Sequence, residues 1–80
     1  MTRSQRPDRP LRRIRFSRWG LAEDPVGYIV RYTCRGRVYL REVTETYRRE
    51  FPSPGIMLKV RSFNREITED VSAGAVEVIE

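Results

Sequence analysis

The sequence has no histidine and a single cysteine, Cys34, among its 80 residues. A tetrahedral zinc site needs several such ligands, so we expect no metal site, and one cysteine cannot form a disulfide within the chain. The chain also lacks a general base that titrates near neutrality, and no imidazole can activate the Cys34 thiol. We therefore interpret Cys34 as a small residue at a strand end, and we expect neither catalysis nor a cofactor.

Phosphate-binding loops and membrane spans are missing as well. The five glycines are dispersed, which excludes the clustered spacing of a phosphate loop or a dinucleotide fingerprint. No apolar run approaches the roughly 18 residues that span a membrane, and the N-terminus lacks the apolar segment of a secretory signal. Together with the single cysteine, these absences predict a cytoplasmic protein that makes no membrane contact.

Positive charge is concentrated in the first quarter of the chain. Residues 1–20 hold seven arginines and one acid, whereas residues 21–80 hold nine bases and ten acids. Fifteen of the 16 basic residues are arginine, whose planar guanidinium suits phosphate and carboxylate groups. A GC-rich coding sequence would explain that preference but not the clustering. The clustering therefore favours a negatively charged partner.

The apolar pattern divides the chain into an arm and one domain. Residues 1–10 contain two prolines and no periodic apolar pattern, which predicts a disordered basic arm. Residues 11–80 are expected to form a single small β domain. It begins with a strand over residues 11–19, in which Ile14 and Phe16 face the core and the arginines face outward.

A β-hairpin is the best-defined element. Residues 28–34 and 37–43 are rich in β-branched and aromatic residues, and they flank Arg35-Gly36, a dipeptide suited to a tight turn. A two-residue loop pairs Tyr28 with Val43, Val30 with Arg41, Tyr32 with Tyr39, and Cys34 with Arg37. One face then carries Tyr28, Val30, Tyr32, Tyr39 and Val43. A longer loop would shift this register and exchange the faces of the second strand.

The remaining segments predict further strands. Residues 44–51 continue the second strand or form a short helix, and residues 52–55 are a break. Residues 56–63 alternate, residues 67–71 fit one helical turn or a loop, and residues 76–79 fit a short strand. A count of four to five strands predicts a small antiparallel barrel or curled sheet, in the size class of SH3-like and OB-like domains.

The basic segment and the hairpin predict a nucleic-acid-binding surface for DNA or RNA. Clustered arginines neutralise phosphates and release counterions, and neighbouring aromatic rings stack on unpaired bases. We assign this surface to Arg12, Arg13, Arg15, Arg18, Trp19, Arg31, Arg35, Arg37 and Arg41. In the competing interpretation, the aromatic residues are core and the arginines protect strand edges from aggregation.

A second functional hypothesis is a protein-interaction module. A small β domain of this kind would act as an adaptor, regulator or inhibitor that docks its basic surface on an acidic surface of a larger protein. A homodimer is a further alternative, in which the basic arm meets the acidic segment, residues 66–80, of a second copy. That segment holds five acids and no base.

Overall fold

The computed structural model describes residues 10–80, and the greater part of the predicted arm, residues 1–9, lies outside the described residues. The described chain is built of strands, with no α-helix in residues 10–80. The strands are β1 (Leu11–Arg13), β2 (Phe16–Ser17), β3 (Gly20–Leu21), β4 (Ile29–Cys34), β5 (Arg37–Arg49), β6 (Gly55–Arg61), β7 (Thr68–Ser72) and β8 (Glu77–Ile79). A 3-10 turn at Ala73–Ala75 joins β7 to β8.

Six of these strands form one antiparallel sheet in the order β1-β8-β4-β5-β6-β7, and β2 and β3 form a separate hairpin. Of the two predicted alternatives, the closed barrel is therefore wrong and an open antiparallel sheet is found, and the predicted count of four to five strands is too low. The sheet stays open because β1 and β7 do not pair with each other. Side chains bridge the opening instead: the Arg13 guanidinium donates to the Gly74 carbonyl at 2.7 Å, and Tyr32 on β4 reaches Glu69 on β7.

The predicted hairpin and its register are confirmed. Strands β4 and β5 pair through a two-residue turn, with Tyr32 opposite Tyr39 and Cys34 opposite Arg37. The predicted set of residues on one face of the hairpin is also confirmed, since Tyr32 and the other residues predicted to share its face are buried or pack against the core. We call this face of the sheet, which carries the core, the inner face. Both turn residues have positive φ, 54° at Arg35 and 80° at Gly36, as a type I′ turn requires.

The positive φ of Arg35 leads to a prediction about the stability of the domain. Arginine is disfavoured in the left-handed region, whereas asparagine adopts it readily, so Arg35→Asn is expected to stabilise the domain by about 0.5–1 kcal/mol. Urea unfolding followed by circular dichroism measures this. The control is Arg37→Asn, which removes the same charge at an extended strand position. An equal effect of both substitutions would show that charge, and not backbone conformation, is responsible.

Two other segments depart from the sequence-based expectations. Residues 68–72 form a strand and not a helical turn or loop, because all five pair with residues 57–61 of β6. The predicted strand over residues 11–19 breaks after Arg13, where the pairing of β1 with β8 ends. Ile14 is buried as predicted, but Phe16 is about half exposed on the β2–β3 hairpin. Residues 44–49 do continue the strand, although a bulge between Val43 and Glu45 shifts the register.

The core is small and lies on the inner face of the sheet. It takes one or two buried residues from each of β4, β5, β6 and β8, together with Ile14, Ala73 and Val76 from the connections. The largest side chains that are almost fully removed from solvent are Leu58, Val30, Val43, Val60, Val76 and Pro25. Four aromatic rings are exposed outside the core, those of Phe16, Trp19, Phe51 and Phe63, and Trp19 and Phe51 are the most exposed of them.

Candidate nucleic-acid interface

The β2–β3 hairpin presents the chain's single tryptophan to solvent. Trp19 is 81% exposed and occupies a two-residue turn with Arg18. The Ser17 hydroxyl oxygen stabilises this turn by accepting a hydrogen bond from the Trp19 backbone N–H at 3.1 Å. The Arg18 guanidinium lies 5.7 Å from the centre of the indole ring. The competing assignment of Trp19 to the core is therefore wrong. The sequence left this open because a tryptophan after an alternating run fits either place.

The tip of the β5–β6 hairpin presents a second exposed aromatic ring. Phe51 is 84% exposed in the connection that follows β5. The Arg48 guanidinium, three residues earlier, donates to the Trp19 carbonyl at 3.4 Å, and this contact joins the two hairpins. Arg49 donates to the Ser53 carbonyl at 3.0 Å and holds the tip.

These two hairpins form what we call the aromatic–arginine surface: Arg15, Arg18, Trp19, Arg48, Arg49 and Phe51. The surface carries four guanidinium groups, and the acid in the same tip, Glu50, is also exposed. Exposed rings flanked by arginine are the arrangement that single-stranded nucleic acids bind, because bases stack on the rings while phosphates meet the cations. Arg48, Arg49 and Phe51 were not among the predicted site residues. The break at residues 52–55 was the signal that could have placed them at a hairpin tip.

Arg12 lies elsewhere and is engaged within the domain. Its guanidinium donates to both carboxylate oxygens of Glu23, at 2.7 and 2.9 Å, and also to the Glu80 carboxylate. These hydrogen bonds, first those to Glu23 and then that to Glu80, raise the pKa of Arg12 further above its ordinary value. The guanidinium also lies over the Tyr28 ring at 5.8 Å. Arg12 is thus surrounded by carboxylates that compete with phosphate.

The other predicted arginines fall into separate groups. Arg13 is exposed, although its guanidinium donates to the Gly74 carbonyl. Arg15 is also exposed, and its guanidinium lies 3.9 Å from a carboxylate oxygen of Glu23.

Two arginines of the hairpin lie on opposite faces of the sheet. Arg31 pairs with Glu77 at 2.9 Å on the outer face. Arg41 lies on the inner face, 4.9 Å from the centre of the Tyr39 ring, and only 13% of its side chain is exposed.

Arg35 and Arg37 are exposed at the opposite end of β5 from the aromatic–arginine surface. The strand is 13 residues long. At about 3.3 Å per residue, it separates these residues from the β5–β6 tip by roughly 40 Å. The predicted continuous positive surface is therefore divided into two.

Two of the hairpin tyrosines, Tyr28 and Tyr32, are engaged by hydrogen bonds within the domain. Tyr32 is buried, and its hydroxyl donates to Glu69 at 2.5 Å. Burial, and then this hydrogen bond, raise the pKa of Tyr32 above its ordinary value. The Tyr28 hydroxyl donates to Glu23 at 2.8 Å, and that hydrogen bond raises the pKa of Tyr28.

Within residues 10–80, no helix has the length and apolar character needed to cross a membrane. No group of three or more potential metal-binding side chains occurs in that same part of the chain. Comparison of the sequence with protein-family models and with curated proteins, and of the structure with solved structures, finds no match.

Proposed function

We propose that this chain is a non-catalytic binding domain for single-stranded nucleic acid, and that it acts through the aromatic–arginine surface. The observation that carries the proposal is the exposure of Trp19 and Phe51, at 81% and 84%, on adjoining hairpins edged with arginine. A small domain gains from burying its largest aromatic rings, since each contributes a large apolar area. Two rings left in solvent beside cations are better explained by a ligand with aromatic faces and negative charge.

An unpaired strand suits this surface better than a duplex. The bases of a duplex are already stacked on one another, so no base face is free to stack on Trp19 or Phe51. In a single strand, each base stacked on an aromatic side chain contributes about 1–3 kcal/mol of binding free energy. Arg15, Arg18 and Arg48 then contact phosphates, which adds affinity without adding sequence preference.

Trp19 supplies a direct test because it is the only tryptophan. Titration of the full chain with oligouridylate or oligothymidylate is expected to quench Trp19 fluorescence with saturation. If Arg15, Arg18 and Arg48 each contact a phosphate, log affinity falls against log salt with a slope of about −2. A duplex of the same length is expected to bind more weakly. Absence of quenching at low salt would overturn the proposal.

Variants locate the binding surface, with fluorescence anisotropy of a labelled oligonucleotide as the measurement. Trp19→Ala and Phe51→Ala are each expected to weaken binding by about 5- to 100-fold, because each removes one stacking ring. Arg18→Ala combined with Arg48→Ala should reduce the salt slope by about 1.4. Arg65→Asn is the matched control, since it removes an exposed arginine from another turn. A loss in the control as large as in the surface variants would contradict this location.

The same surface supports a second candidate function, docking on an acidic protein surface. Tryptophan and arginine are enriched at the energetic centres of protein interfaces, and Trp19 is exposed here together with arginines on the same two hairpins. Affinity capture from a native lysate would then enrich one partner that survives nuclease treatment and is lost with Trp19→Ala. A homodimer through this surface would instead give a concentration-dependent mass in analytical ultracentrifugation, again abolished by Trp19→Ala.

A further inference from the structure

A separate cavity opens at the other end of the domain, next to the β4–β5 turn. Its volume is about 350 Å³, and it is lined by Tyr32, Cys34, Tyr39, Glu69, Asp70 and Val71. The hairpin forms one wall and β7 forms the other. None of these residues belongs to the aromatic–arginine surface.

The polar groups of this cavity leave one acceptor without a partner. Oε1 of Glu69 accepts the Tyr32 hydroxyl at 2.5 Å and lies 4.0 Å from Nε of Arg41. Oε2 of Glu69 has no hydrogen-bond or ion-pair partner among residues 10–80, and the side chain is 43% exposed. The other carboxylate, Asp70, accepts the Tyr47 hydroxyl at 2.7 Å and lies 3.9 Å from Lys59. Glu69 is therefore the acceptor that a ligand in this cavity would meet.

Two exposed arginines stand at the rim. Arg37 faces Cys34 across the hairpin, and Arg35 occupies the adjoining turn. Neither makes an ion pair or a side-chain hydrogen bond within the described part of the chain, and both are exposed. Since Arg41 lies beside Glu69 and Arg37 stands at the rim, the carboxylates do not give the cavity a net negative charge. A ligand with a phosphate can therefore approach.

We propose that this cavity binds the guanine base of a nucleotide and that Arg35 and Arg37 bind its phosphate. Guanine alone among the four bases presents two adjacent N–H donors on its Watson–Crick edge, and a carboxylate accepts one at each oxygen. Oε2 of Glu69 is free for one donor, and Oε1 keeps a second lone pair beside its hydrogen bond from Tyr32. The partly buried Tyr39 ring supplies an aromatic wall against which a planar base packs. The ligand class rests on the proposed nucleic-acid function, whereas the residues and their location are independent of it.

Calorimetric titration of the full chain with the four nucleoside 5′-monophosphates tests the site. Guanosine monophosphate is expected to bind about tenfold or more tightly than the other three, because a bidentate contact discriminates to that degree. Glu69→Gln is expected to weaken this binding by about 10- to 100-fold. The glutamine carbonyl still accepts the Tyr32 hydroxyl, so the fold is retained, and circular dichroism verifies this. Glu66→Gln, an exposed acid outside the cavity, is the matched control.

The rim arginines are tested by comparing guanosine with its monophosphate. The phosphate is expected to increase affinity in the native chain, and Arg35→Ala combined with Arg37→Ala should abolish that increase while leaving guanosine binding unchanged. Equal binding of all four nucleotides, or full binding by Glu69→Gln, would overturn the guanine site. If no mononucleotide binds while oligouridylate still quenches Trp19 fluorescence, the guanine site is overturned and the proposed function is not. Absence of both signals overturns the proposed function as well.

Discussion

Leu58→Ala is expected to lower the free energy of unfolding by about 2–5 kcal/mol, the range for leucine truncation in a packed core. Leu58 is fully buried in the middle of β6, with Thr46 and Val71 opposite it on the two neighbouring strands. Its side chain contributes apolar contacts that alanine cannot replace, and the cavity left behind adds to the loss. The paired strands on either side restrain the backbone from closing over that cavity.

The expected loss is a large fraction of the total. At about 0.1 kcal/mol per residue, a domain of this size has roughly 8 kcal/mol of stability. Urea unfolding followed by circular dichroism measures the change without relying on Trp19, whose ring is already exposed in the folded state. A population of unfolded chains at 37 °C is the expected consequence of a loss at the upper end of the range.

Leu40→Ala is the matched control, because the same atoms are removed from a different environment. Leu40 lies on the outer face of β5 and is 41% exposed. Its truncation is expected to cost less than about 1 kcal/mol, since little apolar area is returned to water. Similar losses for the two substitutions would contradict the assignment of the core to the inner face.

The hairpin could be predicted from sequence because the information that defines it is local. The Arg35-Gly36 dipeptide predicts the turn, and the two-residue length of that loop determines which residues of the two strands are paired. Strand β7 could not be predicted in the same way. Thr68–Ser72 has no apolar alternation, and it becomes a strand because β6 offers it an unpaired edge. Pairing of this kind depends on a partner segment and leaves little signal in the strand itself.

The candidate site also combines residues that the local sequence identified with residues that only the fold brings together. Clustering in the sequence identified the segment that contains Arg18 and Trp19, and both are exposed on the β2–β3 hairpin. Clustering could not show that Arg12 is engaged by Glu80, which lies 68 residues away in the sequence. Nor could it bring Arg48 to the Trp19 carbonyl, 29 residues away. Charge density identifies candidate cations, but only the fold decides which of them face acids and which face solvent.

Glu23→Gln is expected to destabilise the domain at neutral pH and to flatten the acid limb of its stability profile. The Glu23 side chain is only 12% exposed, and its carboxylate accepts two hydrogen bonds from Arg12, one from the Arg15 amide and one from the Tyr28 hydroxyl. An amide supplies one oxygen and turns two N–H donors toward these groups. The substitution therefore replaces accepted hydrogen bonds with unfavourable contacts between N–H donors, at the junction of β1 and the β3–β4 loop.

The pH dependence follows from the pKa of this carboxyl. The Arg12 hydrogen bonds, and then the Arg15 amide and the Tyr28 hydroxyl, hold the pKa of Glu23 far below its ordinary value. An unfolded glutamate has a pKa of about 4.3, so below that pH the unfolded chain binds a proton that the folded chain resists. The stability contributed by Glu23 is thus complete above about pH 5 and falls continuously as the pH drops below the unfolded pKa.

Thermal unfolding from pH 7 down to pH 2.5 measures this contribution. The native chain should lose melting temperature steadily below about pH 5, whereas Glu23→Gln should start lower and lose less over the same interval. Glu45→Gln is the control, because Glu45 is exposed on β5 and forms no ion pair within residues 10–80. If the Glu23→Gln profile ran parallel to that of the native chain, the acid sensitivity would belong to other carboxylates, and the Arg12–Glu23 pair would not be what joins β1 to the β3–β4 loop.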